Sequence, residues 1–339
     1  MRKWRKQLFA FLVTGLLLLS GCGGNGSNEN ETGNGNNGAD NGEEKAAFTI
    51  GITQIADHPS LNAATEGFKQ ALSDAGLEVT FDEQNAQGDP NTAKTIAQNL
   101  VGAEVDLIFA NATPAAQAAL SETKDIPIVF TSVTDPVGAE LVESMEAPGG
   151  NVTGTADMHP DSIPNTVEFI QKYFNGSTIG TIYNAGEQNS VKQIEVMEEA
   201  LAGSGWTLVT RTVSNTSEVK QAADSLAGEV DVIFIVTDNT VVSALEAVIS
   251  VAEEQKIPLF VGEHDSVKRG GFAAYGFDYY DIGYEAGQLA VQILKEGKSP
   301  AELPAQYPQN LTLLINKQAA EKMGIELLPE WDDIAEYVE

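Results

Sequence analysis

The side chains of this 339-residue chain that could hold a ligand gather in short polar stretches, each just after an apolar run. Gln54, Asp57 and His58 follow FTIGI, Asn111 and Thr113 follow LIFA, and Thr134 and Asp135 follow IPIVFTSV. Further on come Tyr183, Asn184, Glu187, Asn189 and Ser190, then Thr237, Asp238 and Asn239, then Glu263, His264 and Asp265. Phe277 and Asp278 complete the set, which contains no lysine or arginine before Lys268 and Arg269. Such residues suit binding better than bond making. Free amides at helix N-termini after Thr113 and near Ser190 can hold a carboxylate. Acids such as Glu187, Asp238 or Asp278 can hold an ammonium group. A zwitterion would use both, with Tyr183 and Phe277 able to stack on a ring. Each Asp or Asn also has a plainer use as a helix cap or turn former, His58 as a loop residue and Tyr183 as packing.

Catalytic patterns are missing from the sequence. There is no GxSxG elbow, no P-loop and no HExxH, and GITQIADHP is not a GxGxxG turn. The histidines, His58, His159 and His264, lack metal-ligand spacing, and the single cysteine is Cys22. The chain therefore reads as a binding protein, not an enzyme, with no cofactor and no metal.

The apolar runs alternate with segments of helical spacing. FTIGITQI is a strand, and Pro59 to Ala75 is a helix with Leu61, Ala64, Phe68 and Leu72 on one side, ended by Gly76. LEVTFDEQNA, VDLIFANAT and IPIVFTSV are strands; Pro90 to Gly102 is a helix capped by Asp89, PAAQAALSETK is another, and a short one is expected near Val137 to Ser144. The pattern recurs with strands TIGTIYN, TLVTRTVS, VDVIFIVTDN and IPLFVGE and helices at Ser190–Gly203, Glu218–Ala227 and Val241–Lys256. Glu104 to Phe109 parallels Glu229 to Phe234, and Ile126-Pro127-Ile128 parallels Ile257-Pro258-Leu259. Continuous apolar strands alternating with helices imply two doubly wound α/β domains with parallel sheets, either duplicated or alike by chance. A third piece, the strand FAAYGFD and the helix Tyr279–Gly297, must return to one of them, and NLTLLINKQAAEKMGI adds a last strand and helix. The expected lobes are residues 48–158 plus 273–297 and residues 159–272 plus 298–339, joined by a three-strand hinge. Ligands bind outside the carboxyl ends of such strands, so the lobes should face each other across a cleft. Trp206 and Trp331 fall outside the expected rim and read as packing.

The N-terminus reads as an address. Residues 1–21 have a basic start and a 12-residue apolar run, Leu8 to Leu19, as a signal peptide does. Leu19-Ser20-Gly21-Cys22 resembles a bacterial lipoprotein box, which makes Cys22 the expected lipidation site. Residues 22–47, with 14 Gly or Asn among 26, read as a disordered tether. The first 21 residues carry Arg2, Lys3, Arg5 and Lys6 and no acid, leaving 15 basic against 49 acidic side chains, a balance near −34. That charge repels phosphate backbones and excludes nucleic acid as a partner.

Several words in order resemble the substrate-binding lipoproteins of ATP-binding-cassette importers, specifically the tryptophan/tyrosine-binding group. They include Gly51-Ile52-Thr53-Gln54, His58-Pro59-Ser60-Leu61, Asn85-Ala86-Gln87-Gly88-Asp89, Ala112-Thr113-Pro114 and Thr134-Asp135-Pro136. Others are Pro148-Gly149-Gly150-Asn151-Val152-Thr153-Gly154, Glu187-Gln188-Asn189-Ser190, Asp238-Asn239-Thr240 and Gly276-Phe277-Asp278-Tyr279. The resemblance spans about residues 48–326. It implies a periplasmic-binding-protein type I fold, a captured aromatic amino acid, and delivery to a membrane permease driven by a separate ATPase. It places Gln54, His58, Thr113, Thr134, Asp135, Glu187, Asn189, Ser190, Asp238, Asn239 and Asp278 at the cleft. The lipoprotein box and leash put the body outside the cytoplasm on a lipid, and a monomer is expected because one ligand and one permease face need no symmetry. Glu263-His264-Asp265 is idiosyncratic and adds two acids, which leaves room for a more cationic ligand. A sensor module for a signalling receptor, or an importer of another solute such as a nucleoside, would use the same cleft.

Overall fold

A computed structural model describes residues 47–339. The expectations for the signal peptide, the tether and Cys22 lie outside those residues.

The first sheet comprises β1 (Ala47–Gln54), β2 (Glu78–Asn85), β3 (Leu107–Asn111), β4 (Ile128–Val133) and β5 (Val152–Ala156), interleaved with α1 (Pro59–Asp74), α2 (Pro90–Gly102) and α3 (Thr113–Glu122). Its order is β2-β1-β3-β4-β5 and every pairing is parallel. Strands β3, β4 and β5 are buried throughout, as helices on both faces require.

After α4 (Ser162–Tyr173) come β6 (Thr178–Tyr183), α5 (Gln188–Leu201), β7 (Thr207–Thr212), α6 (Val219–Leu226), β8 (Val232–Ile235), α7 (Asn239–Val242), α8 (Leu245–Gln255), β9 (Leu259–Val261) and α9 (His264–Arg269). The chain ends with β10 (Ala273–Gly276), α10 (Tyr279–Glu296), β11 (Thr312–Asn316), α11 (Lys317–Met323) and β12 (Ala335–Val338). The second sheet runs β12-β11-β10-β9-β8-β6-β7, parallel except for the β10–β11 pair. Phe169, Phe174, Phe260, Phe272 and Trp331 form an aromatic cluster in its core.

The third piece divides differently from its expected boundaries. Strand β10 hydrogen-bonds to β9 and β11 in the second sheet, so residues 273–276 do not join the first lobe. Helix α10 does, packing along α1. Its Gly283 lies where a Cβ would overlap the Ala64 carbonyl oxygen, and Gly67 of α1 meets the Tyr280 carbonyl in the same way. Residues beyond 297 also stay with the first lobe for a stretch. Ala305 N donates to Met145 O at 2.7 Å and Gln306 N to Gly154 O at 3.0 Å, which extends the first sheet past β5. The chain thus passes between the lobes near Asp157, between Gly276 and Tyr279, and between Gln306 and Thr312.

Two helices also differ. Residues 137–144 form turns, because Pro136, Gly138 and the left-handed Glu140 (φ 59°) interrupt any helical ladder. The helix expected over 241–256 breaks at Ser243-Ala244 into α7 and α8.

Candidate functional site

Strand order reverses beside β1 in the first sheet and beside β6 in the second. At such switch points neighbouring connections leave on opposite faces and open a crevice. The two crevices face each other. His58, Leu61, Ser132 and Asp157 come from one side, Asn189, Thr237, Asn239, Val242 and Glu263 from the other, and Tyr279 from the start of α10. Together they line a small cavity between the lobes. Its walls are buried on both sides: His58 is 7 % exposed and Glu263 only 2 %. The lobes are therefore closed on the cavity.

Asp157 lies at the first crossing, just past β5. Thr134 Oγ1 donates to its Oδ1 at 2.9 Å and the Tyr279 hydroxyl to its Oδ2 at 2.7 Å. Burial raises its pKa, while the bonds from Tyr279 and Thr134 oppose the rise. Glu263 is the N-cap of α9, accepting from Asp265 N at 2.6 Å and Ser266 N at 2.9 Å, and also from the Ser266 hydroxyl. Burial raises its pKa too. Among the described residues no lysine or arginine lines the cavity. The positive charge nearest in effect is Arg269, ion-paired to Glu246 at 2.9 Å. Burial first, and Arg269 second, lower the His58 pKa to about 4, so the imidazole is neutral. The cavity thus presents two carboxylates and neutral dipoles, a setting that attracts an ammonium group.

A second layer fixes these groups. Glu187 accepts from Asn239 N at 3.1 Å and Nδ2 at 2.6 Å, and from Thr240 N at 3.1 Å and Oγ1 at 2.7 Å. Asp238 accepts from Asn184 N and Ser190 Oγ, both at 2.6 Å, and from Val241 N at 2.7 Å. Burial, then the Glu187 charge, raises the Asp238 pKa. These two acids are consumed by the protein and orient Asn189 and Asn239; neither lines the cavity.

Of the residues expected at the cleft, His58, Asn189, Asn239 and Glu263 line the cavity, and Thr134, Glu187, Ser190 and Asp238 stand directly behind it. The others fall elsewhere. Gln54 spends its amide on Ala56 O at 2.7 Å and Asn62 Oδ1 at 2.8 Å, bracing the loop before α1. Thr113 is fully buried at the start of α3 and is not part of the lining. Asp135 accepts from Gly138 N at 2.8 Å and holds a turn. Tyr183 packs on the second core. Phe277 stacks on Tyr279, ring centroids 5.6 Å apart, and is not part of the lining, and Asp278 is the exposed N-cap of α10.

Thr237, named with Asp238 and Asn239, lines the cavity too, and Ser132, Asp157, Tyr279, Leu61 and Val242 line it without having been singled out as ligand contacts. Applying the strand-end rule to β5 would have found Asp157, but VTGTA is short and glycine-interrupted. Ser132 had no signal: it sits inside an apolar strand, and its backbone angle is not written in its neighbours.

Two α/β lobes linked by three chain passages and closed on a small polar cavity define a solute-binding protein of the periplasmic-binding-protein type I fold. Residues 49–333 match the family model for ABC transporter substrate binding protein, and the chain belongs to that family. This is a family of solute-binding proteins, not of enzymes; its members serve a membrane transporter. The chain is 40% identical over 335 residues to a tyrosine-binding protein of Clostridioides difficile (strain R20291), covering 95% of this chain and 94% of that one. It superposes with a TM-score of 0.82 on an ABC domain from Streptococcus pneumoniae in complex with L-Trp, at 34% identity over 87% of this chain and 100% of that one. On a ligand-free, open substrate-binding protein with adhesive properties from Clostridium difficile the TM-score is 0.64, at 37% identity over 86% of this chain and 99% of that one. Identity and coverage are nearly equal, so the lower score agrees with a difference in lobe placement. The buried cavity wall here is that of the closed arrangement. Among the described residues no helix is long and apolar enough to cross a membrane.

Proposed function

We propose that this protein captures an aromatic amino acid, tyrosine or tryptophan, between its lobes and delivers it to the permease of an ABC importer. The observation that carries the reading is the pair of buried carboxylates, Asp157 and Glu263, on the wall of the cavity between the lobes. Asp157 takes the ligand's ammonium group, since each of its oxygens accepts one protein hydrogen bond and retains a free lone pair. The carboxylate points toward the end of β4, where Ser132 lies on the cavity wall. Leu61 and Val242 flank the side chain. The relatives named for tyrosine and co-crystallised with L-Trp support the ligand class.

Closure around the ligand stabilises the closed form only by the ligand's extra affinity for it, and the closed pair of lobes is what the permease engages. The chain works as a monomer, anchored outside the cytoplasm through a lipid on Cys22 and leashed by residues 22–47. Import is favoured over signalling because the family serves ABC transporters.

A thermal-shift screen tests the ligand. The protein is unfolded, stripped and refolded, then scanned against the twenty amino acids, nucleosides and sugars. A rise in Tm with tyrosine or tryptophan well above other compounds is expected, because a ligand that binds only the folded form must raise it. A response confined to nucleosides or sugars would refute the aromatic reading.

A further inference from the structure

Within the stretch Thr131-Ser132-Val133-Thr134, the protein satisfies two of three hydroxyls. Thr131 Oγ1 pairs with Thr155 Oγ1 at 2.9 Å, and Thr134 Oγ1 donates to Asp157 at 2.9 Å. The Ser132 hydroxyl is buried, lines the cavity and has no partner. A buried hydroxyl left unsatisfied is costly, so its partner is expected to come from outside the chain.

The backbone adds an independent observation. Ser132 has φ 56°, the left-handed region that side-chain-bearing residues avoid. The register of β4 against β5 shifts between Phe130 and Val133, so the strand bulges there. Beside it, Ala112 has φ 83° and ψ 156°, a conformation that is essentially glycine's. Ala112 N donates to Thr131 O at 3.0 Å, which puts the two strained residues next to each other at the ends of β3 and β4. Glycine would relieve Ser132, yet serine stands there, and the turned backbone aims its hydroxyl into the cavity. The cavity carries acids on its walls and no lysine or arginine. A hydroxyl donor on that wall offers an incoming carboxylate a partner.

We infer that Ser132 is a specificity-determining residue whose hydroxyl, held by a strained bulge at the end of β4, donates to the carboxylate of the bound amino acid. This rests on the amino-acid reading above and deepens it. The site would then prefer an amino acid over the amine that differs from it only by loss of that carboxylate.

The test is calorimetric titration of the full-length wild type, Ser132→Ala and Ser132→Gly with L-tyrosine and with tyramine. The hydroxyl is lost in both variants, and only glycine relaxes the backbone. L-tyrosine is expected to bind both variants about tenfold to a hundredfold more weakly, the usual loss of a hydrogen bond to a charged group. Tyramine should bind wild type and variants alike, and Ser132→Gly without ligand should melt ~1–4 °C higher than wild type as the strain is relieved. Unchanged L-tyrosine affinity in both variants overturns the inference, as does an equal loss for L-tyrosine and tyramine. If wild type binds neither L-tyrosine nor L-tryptophan but takes another amino acid, the aromatic reading fails alone. Ser132 is then judged on that amino acid and its decarboxylated amine by the same criteria. A wild type that binds no amino acid overturns both readings. If Ser132→Ala does not fold, Ser132→Gly alone decides.

Discussion

The Tyr279 hydroxyl donates to Asp157 Oδ2 at 2.7 Å, tying the residue that follows the second chain passage to the residue at the first. The bond holds a cavity-lining carboxylate in place with a group from the hinge itself. It couples the carboxylate proposed to receive the ligand to the chain passages that join the lobes.

Asp157→Asn keeps the size and most hydrogen bonds but removes the charge. Affinity for tyrosine or tryptophan is expected to fall at least about 100-fold, as when a buried charged pair loses one member. The melting temperature without ligand should stay level or rise, because a desolvated carboxylate is gone. Tyr279→Phe should cost less, roughly 1–2 kcal/mol of binding, by leaving Asp157 short of one bond. Isothermal titration measures both; an unaltered affinity in Asp157→Asn would remove the ammonium site.

His58 sets a pH dependence. In the folded chain its pKa is lowered to about 4 by burial and then by Arg269, from an ordinary value of 6.5. Below pH 6.5 the unfolded chain binds a proton that the folded chain does not. Stability from this group is therefore whole above 6.5 and is lost at roughly 1.4 kcal/mol per pH unit as pH falls toward 4. Asp157, Glu263 and Asp238 work the other way, since raised carboxyl pKa values favour the fold at low pH. Comparison with His58→Gln isolates the histidine. The variant should gain stability relative to wild type as the pH drops from 7 to 4.5, read from urea melts; a constant difference would refute the assignment.

Glu187 is a structural brace rather than a ligand contact. Its removal in Glu187→Ala leaves the amides of Asn239 and Thr240 without their partner. A loss of about 2–4 kcal/mol in unfolding free energy is expected, from an absent cap and buried polar groups left unsatisfied. Chemical denaturation followed by circular dichroism would show it as a lower midpoint at unchanged slope.

Gly283→Ala places a methyl group on the Ala64 carbonyl oxygen, backbone that cannot swing aside. Helices α1 and α10 would have to separate, and α1 carries His58 and Leu61 at its start. The expected cost is about 3 kcal/mol or more, with weakened ligand binding as a secondary effect. Gly297→Ala is a contrasting case: it meets no atom within 4 Å but sits at φ 69°, so only backbone strain acts, about 1 kcal/mol.

Much of this protein was determined locally. Apolar runs such as LIFAN and IVFTSV specify buried parallel strands, and Gly76 as stop of α1 and Asp89 as cap of α2 mark helix ends, whatever surrounds them. Residues just past strand ends, His58, Asn189, Thr237, Asn239 and Glu263, meet at one cavity, because their placement depends only on strand direction. Tertiary structure decided the rest. Strand β10 joined the second sheet because its hydrogen-bonding partners, β9 and β11, lie there, and an isolated strand carries no record of its neighbours. Glu187 and Asp238 turned from ligand candidates into braces because the amides of α7 reach them first. Ser132 became a cavity residue through a bulge and a left-handed φ of 56°, which packing between β3 and β5 imposes on a residue with no local preference for it.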